Sequence, residues 1–282
     1  MANYARQPID QQNNHISVTR LIDSPRRVVL ERRHSSELTE DAKDRLWTLL
    51  GQSIHQILAS TTSYDEADVR VEQRLSVEID GWTVSGQYDR WERGCLSDYK
   101  VTTVYAVSDA PKREWIEQLN VLAYLCQKND LQVNNLEIVL ILRDWSAAQA
   151  ERNDQYPQAP VITVQVPLWT MEETEVFVRK RLAMHKAALA VSDDQLPECT
   201  EKERWCTETT YAVMKPNRIR ALRVFDNAVE AESLASQTSG AWVEIRPGES
   251  KRCKFCAVSG FCSQFDKLKH KQAEEHATLK VA

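Results

Sequence analysis

The residues that could do chemistry in this 282-residue sequence begin with acidic side chains in its first half. Asp80-Gly81 and Arg93-Gly94 are both strong signals for two-residue hairpin turns. If both turns form, antiparallel pairing places Glu72 opposite Asp89, and Asp89 opposite Asp98. Three adjacent strands would then present carboxylates in one row on one face of a sheet.

Lys100 follows Asp98 by two residues and projects from the same face of its strand. Carboxylates that face each other across a sheet destabilise it, unless a cation lies among them. Mg²⁺ and Mn²⁺ suit carboxylate ligands, and Mg²⁺ keeps positions open for water and phosphate. A nearby ammonium can position a water or stabilise developing negative charge. The set favours phosphodiester hydrolysis, although each residue taken singly is commonly just solvated surface.

The elements that must position this row follow from hydrophobic periodicity. A helix is predicted from an N-cap at Thr39, with an apolar stripe of Leu46, Leu50, Ile54, Ile57 and Leu58. Strands are predicted at 71–79, 82–91, 95–101, 136–142 and 161–166, and further helices at 111–128 and 171–190. This order predicts an α/β fold with a mixed central sheet flanked by helices.

Composition sets the outer limits. Apolar residues make up 42% of the chain and charged residues 27%, as in ordinary globular proteins. No apolar run suggests a membrane span and the N-terminus lacks a secretory signal, so we expect a cytoplasmic protein. The net charge of −5 does not by itself indicate a nucleic-acid partner. We predict an extended N-terminal arm (1–35), a catalytic core (36–192) and a cysteine-rich C-terminal region (193–282), where regular patterning fades.

Five of the seven cysteines follow residue 198. In a protein expected to be cytoplasmic, clustered cysteines favour metal ligation over disulfides. Cys253, Cys256 and Cys262 occur within "RCKFCAVSGFC", and Cys199 or Cys206 could supply a fourth thiolate. Both Zn²⁺ and a [4Fe–4S] cluster accept four cysteines. Unligated cysteines clustered by chance are the alternative.

Residues 51–124 resemble the RecB-type branch of the PD-(D/E)XK nuclease superfamily. The motifs that carry the resemblance occur in order: "GQSIH" with His55, then Glu72, "GQYDR" with Asp89, "SDYKVTT" with Asp98 and Lys100, and "EQLNVLAYL" with Gln118. The resemblance implies a restriction-endonuclease-like core. It also implies that His55, Asp89 and Asp98 bind Mg²⁺ or Mn²⁺, that Lys100 is catalytic and that Gln118 lies near the site.

Two features depart from the family pattern. The usual tyrosine lies four residues after the glutamine, where this chain has Leu122, whereas Tyr124 would point elsewhere on a helix. The cysteine spacing resembles that of iron–sulfur nucleases among helicase–nuclease subunits and CRISPR-associated exonucleases, and so favours [4Fe–4S] over Zn²⁺. In those proteins the first ligand usually precedes the nuclease motifs, but here no cysteine precedes Cys95. The "ERW…YAVMK" stretch with this ending also resembles RecB-type nucleases of bacteriophages.

The resemblance therefore implies a DNA nuclease, and more specifically an exonuclease of recombination, repair or phage DNA metabolism. DNA would be its partner, with a recombination or helicase protein as a second one. Two alternatives are a non-catalytic, metal-stapled DNA-binding module and a hydrolase of another phosphoester. The intact set of Asp89, Asp98 and Lys100 argues against the non-catalytic alternative.

Overall fold

The structure of the protein, a computed structural model, describes residues 3–5, 14–41, 45–61, 68–107 and 111–270. The chain divides into two compact units, Met1–Ser192 and Asp193–Ala282. Among the described residues, no helix is long and apolar enough to cross a membrane.

The first unit contains ten strands and six helices in its described part. The strands are β1 (Asn3–Ala5), β2 (His15–Ser17), β3 (Thr39–Asp41), β4 (Val69–Val71), β5 (Arg74–Ile79), β6 (Trp82–Gln87), β7 (Arg90–Glu92), β8 (Cys95–Thr102), β9 (Asn135–Leu142) and β10 (Val161–Val166). The helices are α1 (Val18–Leu21), α2 (Pro25–Arg33), α3 (Leu46–Ser60), α4 (Arg113–Lys128), α5 (Ala147–Ala150) and α6 (Met171–Leu189).

Two sheets carry most of this unit. The larger has the order β10-β9-β8-β7-β4, and the smaller has the order β2-β6-β5. The pairs β8–β9 and β2–β6 are parallel and the others are antiparallel. Helix α4 packs against both sheets, and its buried residues join one continuous hydrophobic core. The predicted α/β class with a mixed sheet flanked by helices is confirmed.

Both predicted hairpin turns form as the sequence indicated. Asp80 and Gly81 have φ values of 52° and 73°, and Arg93 and Gly94 have values of 46° and 85°. Two successive left-handed residues are the signature of a type I′ turn, whose twist matches that of the flanking strands. The registers that follow, Ile79 with Trp82 and Glu92 with Cys95, are confirmed.

The strand predicted at 82–91 is interrupted, and this is a correction. β6 and β7 belong to different sheets and are separated by Tyr88 and Asp89. The neighbouring segment is interrupted at the same level, between β4 and β5. There Glu72 has a φ of 51°, and its amide donates to the Asp89 carbonyl at 3.0 Å. Tyr88 occupies the break. Its ring is buried, and its hydroxyl donates a hydrogen bond to the Gln73 side chain. Glu72 and Asp89 therefore lie where the two paired segments pass from one sheet to the other.

The extended arm predicted for residues 1–35 is wrong for the described part of that segment. β2 joins the smaller sheet and buries Ile16, and α1 and α2 bury apolar side chains that include Leu21 and Leu30. The buried side chains belong to three short elements. No single helical or strand periodicity in the sequence therefore predicts that the segment is folded. Residues 1–2 and 6–13 lie outside the described residues.

The predicted start of the His55-bearing helix is also wrong. Thr39 belongs to β3, which pairs with β1, and helix α3 begins at Leu46. Helix α3 has no buried residue, and three residues of its predicted apolar stripe, Leu46, Leu50 and Ile57, are exposed. The two later helices and strands β8, β9 and β10 agree with their predicted positions to within two residues.

The second unit is more regular than its sequence pattern suggested. It contains β11 (Thr210–Met214), β12 (Arg223–Phe225), α7 (Ala228–Gln237), β13 (Trp242–Arg246) and α8 (Lys251–Lys254). The three strands form an antiparallel sheet of order β12-β11-β13. Val213, Phe225 and Ala231 make a small core between this sheet and α7.

Candidate metal centre

His55, Glu72 and Asp89 form a group of side chains that could hold a metal ion. One ligand atom from each lies within 4.8 Å of the others. His55 Nδ1 lies 3.3 Å from Asp89 Oδ1 and 3.8 Å from Glu72 Oε1. His55 comes from α3, whereas the two carboxylates come from the break between the sheets. The turns and the break thus bring together residues separated by up to 34 positions (89 − 55).

Each member of the group has its other polar atom held by a neighbour. His55 Nε2 donates to the Tyr99 carbonyl at 3.0 Å, which leaves Nδ1 as the lone-pair nitrogen. Asp89 Oδ2 accepts from the Tyr99 amide at 2.7 Å, and Glu72 Oε2 accepts from the Gln87 side chain. The three remaining atoms, Nδ1, Oδ1 and Oε1, therefore face one another. Such outer contacts orient metal ligands and fix the histidine tautomer.

The spacing of these atoms fits an octahedral cation. Metal–oxygen bonds of about 2.1 Å place neighbouring ligands of Mg²⁺ about 3.0 Å apart. The separation of 3.3 Å between His55 and Asp89 is close to this value, and that of 3.8 Å between His55 and Glu72 is wider. Without a cation, the hydrogen bond to Asp89 raises the pKa of His55, and partial burial opposes that rise. In the charged form of His55, Nδ1 carries a proton, whereas a cation would require the neutral imidazole with its lone pair on Nδ1.

Asp98, Lys100 and Gln118 form a second cluster beside the first. Gln118 Nε2 donates to Asp98 Oδ1 at 3.2 Å, and Lys100 Nζ donates to Gln118 Oε1 at 3.3 Å. Lys100 Nζ also lies 2.7 Å from Asp98 Oδ2. The amide of Gln118 therefore fixes the carboxylate and the ammonium in one arrangement.

The carboxyl group of Asp98 is the most perturbed acid near the site. Only 3% of the residue is exposed. Its pKa is raised to about 6, mainly by burial and also by the charge of Asp89, against the lowering effect of Lys100. The contact of Oδ2 with Lys100 lacks hydrogen-bond geometry, so this buried oxygen accepts no hydrogen bond among the described residues. Asp98 does not belong to the group within 4.8 Å. This buried carboxylate, whose Oδ2 is paired with the Lys100 ammonium, lies next to that group and fits a further cation ligand.

An open cavity of about 490 Å³ gives access to the group. Its lining includes His55, Glu72 and Lys100, together with Gly51, Gln52, Gln56, Tyr99 and Val101. A Cβ added at Gly51 would meet nothing within 4 Å. The space beside the backbone of Gly51 is therefore open among the described residues.

Sequence reasoning missed the contribution of Tyr99. Both of its backbone groups hold members of the metal group, one through His55 and one through Asp89. Because every residue has an amide and a carbonyl, no side-chain type could have marked this position. Gln87 was visible within "GQYDR", but its role depends on the break that follows it.

Tyr124 lies away from this centre. It is 3% exposed, and its hydroxyl donates to Glu175 at 3.2 Å. Burial raises its pKa to about 12, so it remains neutral. Leu122, at the position where the family has tyrosine, is buried in the core. This chain therefore has no tyrosine at that helical position.

The described cysteines are all reduced, and the described residues show no second group of ligands as compact as that of His55. Cys95 is partly buried, whereas Cys126 is fully buried. Burial raises the pKa of Cys253, and the nearby thiols of Cys256, Cys262 and Cys206 raise it further, while Arg204 opposes them. Cys206 Sγ lies 3.4 Å from Ser250 Oγ, and the Cys199 amide donates to Gln264. Ligation by these cysteines stays a prediction.

No family model matches the chain, and no curated protein matches it. Among solved structures, the crystal structure of SSO0001 is similar, at 15% identity and a TM-score of 0.43 over 62% of this chain and 79% of the other. An alkaline exonuclease, LHK-Exo from Laribacter hongkongensis, is similar at 13% identity and a TM-score of 0.39 over 63% of this chain and 90% of the other. At these values neither likeness identifies a family or a function for this chain.

Proposed function

We propose that the protein is a divalent-metal-dependent DNA nuclease of the RecB-like PD-(D/E)XK type. One observation carries the proposal: three possible ligand atoms lie within 4.8 Å of one another, beside the ion pair of buried Asp98 with Lys100. Structural carboxylates at a strand break would be expected to face solvent or basic partners. Here their free atoms face an imidazole nitrogen that is held in the ligand tautomer.

The residues of the site have separate roles in this proposal. His55, Glu72, Asp89 and Asp98 would hold Mg²⁺ or Mn²⁺, which when bound polarises the phosphoryl oxygen and acidifies water. Lys100 supplies a positive charge where negative charge develops on the substrate. Gln118 positions that ammonium and the Asp98 carboxylate relative to each other. The open cavity leaves room for the substrate phosphate.

The test is cleavage of end-labelled single- and double-stranded DNA by the purified protein, with Mg²⁺, Mn²⁺ or EDTA. We expect cleavage with either metal and none with EDTA. Products released one nucleotide at a time would support exonuclease action. Asp98→Ala should be inactive, whereas Glu78→Ala, near the distant Asp80-Gly81 turn, should retain activity as its matched control.

Three outcomes would contradict the proposal. Full cleavage by Asp98→Ala would remove that residue from the site. DNA binding without cleavage under every metal condition would favour the non-catalytic DNA-binding module. Hydrolysis of small phosphoesters, with DNA left intact, would favour the other hydrolase. A role in recombination, repair or phage DNA metabolism, with a helicase or recombination partner in the cytoplasm, is part of the proposal and rests on the sequence resemblance alone.

For the second unit we propose a metal site built from Cys253, Cys256 and Cys262, with Cys199 or Cys206 as the fourth ligand. Zinc–sulfur bonds of about 2.3 Å in a tetrahedron require sulfur atoms about 3.8 Å apart. The resemblance of the cysteine spacing to that of iron–sulfur nucleases favours a [4Fe–4S] cluster over Zn²⁺. Anaerobically purified protein should be brown. Colourless protein with one zinc per chain would reject the cluster but keep the ligands.

A further inference from the structure

Helix α3 is unusual because it is exposed and carries no acidic residue, lysine or arginine. Leu46, Trp47 and Ile57 are 55–59% exposed, and the helix has no buried residue. It nevertheless packs along β8, the strand that carries Asp98 and Lys100. An apolar helix surface therefore runs directly beside the candidate metal centre.

Three contacts fix the direction of α3 relative to β8. His55 lies at Tyr99, while Trp47 lies under the guanidinium of Arg143 at 3.5 Å from its ring centroid. Arg143 in turn donates its amide to the Thr102 carbonyl at 2.9 Å. Residues 47 to 55 are eight steps of about 1.5 Å, or about 12 Å, along the helix. Residues 99 to 102 are three steps of about 3.3 Å, or about 10 Å, along the strand.

The helix and the strand thus run in opposite directions and border one groove. One end of the groove is the metal centre, and the other end is the Trp47–Arg143 pair. Gly51, Gln52 and Val101 line the cavity between the ends. Gly51 has no side chain to narrow that passage, and the space beside it is open.

The charge and the side-chain chemistry along the groove indicate which ligand it would bind. A DNA duplex presents phosphates outward and requires Lys or Arg along the surface that it contacts, which α3 does not supply. Unpaired bases are apolar on their faces and stack on tryptophan rings and on guanidinium planes. Arg143 is exposed and forms no ion pair among the described residues, so it can meet a phosphate.

We propose that an unpaired DNA strand lies in this groove, with a phosphate at the metal centre and a base against Trp47. Arg143 contacts the phosphate next to that base. This inference rests on the proposed nuclease function and specifies its substrate as single-stranded DNA or an unpaired end. A second copy of this chain is the competing occupant of the apolar face, and the experiment separates the two.

The test measures binding of the full-length protein to fluorescent oligo(dT) and to a blunt duplex of equal length, in EDTA, by anisotropy. Trp47→Ala should weaken oligo(dT) binding roughly 5- to 150-fold and leave duplex binding unchanged. Trp47→Phe should restore much of the loss. Arg143→Ala should reduce the slope of log K against log salt by about 0.7. Trp242→Ala and Arg218→Ala replace exposed residues of the same types in the second unit and are the matched controls.

Because EDTA prevents metal-dependent cleavage, this assay can fail without contradicting the nuclease proposal. Unchanged oligo(dT) binding by both Trp47→Ala and Arg143→Ala would overturn the groove. Equal losses for single strand and duplex would also overturn it. A dimer that dissociates in Trp47→Ala, by analytical ultracentrifugation, would assign the face to a second copy instead. Normal, Trp47-dependent binding without any cleavage in Mn²⁺ would contradict the proposed function and leave the groove standing.

Discussion

The two regions that we propose to bind metal differ in how their candidate ligands are held. In the first unit, three ligand atoms converge because two type I′ turns, a sheet break and the backbone of Tyr99 hold them. In the second unit, the cysteines lie around short α8 and its neighbours and form no comparably compact group among the described residues. The first site is thus organised by the fold. The second would gain its order from the ligand, as structural metal sites commonly do.

This difference predicts opposite consequences for mutation. Ligands of the first site should affect chemistry and leave folding intact, because the sheet persists without the cation. Ligands of the second should affect folding and leave the intrinsic chemistry intact. Each variant below tests one side of that contrast.

The largest expected effect is on cleavage by the first unit. Asp89→Ala and Asp98→Ala should each lower the cleavage rate by about 10³-fold or more, since the loss of a ligand removes several kcal/mol of transition-state stabilisation. Both should also weaken Mn²⁺ binding. Lys100→Ala should lose cleavage to a similar degree but still bind Mn²⁺, because its ammonium is not a ligand. Calorimetric titration with Mn²⁺ and end-labelled DNA assays measure the two properties.

Thermal unfolding provides the control, and all three proteins should melt within a few degrees of the wild type. If Lys100→Ala lost Mn²⁺ binding as completely as Asp89→Ala, the separation of roles at this site would be wrong.

The next effect is on folding of the second unit. Cys256→Ser should lower the yield of soluble protein and destabilise that unit by several kcal/mol, since ligation energy is coupled to folding. Cleavage per folded molecule should remain normal. Cys95→Ser, at a half-exposed thiol in β8, is the matched control and should change the yield little.

Comparison of Cys199→Ser with Cys206→Ser identifies the fourth ligand, because only its loss should reproduce the Cys256→Ser phenotype. If Cys256→Ser were fully soluble and retained the metal content of the wild type, the cysteine site would be rejected.

A smaller effect should come from Gln118, which touches both parts of the second cluster. Gln118→Ala removes its hydrogen bonds to Asp98 and Lys100, and we expect a 10- to 100-fold lower kcat, on the order seen for residues that support metal ligands. Mn²⁺ binding should fall less than in Asp98→Ala. A pre-steady-state measurement of single-turnover cleavage separates this change from slower product release. Unchanged cleavage would mean that Lys100 needs no positioning.

The sequence predicted the parts of the site that depend on local rules. Asp80-Gly81 and Arg93-Gly94 specify turns through their left-handed residues, so the registers of Glu72, Asp89 and Asp98 could be worked out. The break at Tyr88 could not, because it depends on a buried tyrosine and on its bond to Gln73. The exposure of α3 was equally hidden, since periodicity shows which face is apolar but not whether anything covers it.

The smallest effect should come from Tyr124, which tests where the first site ends. It lies on the same helix as Gln118, but its hydroxyl donates to Glu175. Tyr124→Phe removes that hydrogen bond and leaves the ring in the core, so we expect a loss of about 1 kcal/mol in the free energy of unfolding. Glu175 keeps its ion pair with Arg179, which limits the loss. Cleavage and Mn²⁺ binding should match the wild type, because none of the described contacts of Tyr124 reaches a metal-centre residue. Urea unfolding measures the first quantity and single-turnover cleavage the second. A kcat reduced tenfold at unchanged stability would extend the site along α4 and would show that its boundary is not set by the hydrogen bonds around Tyr99 and Gln118.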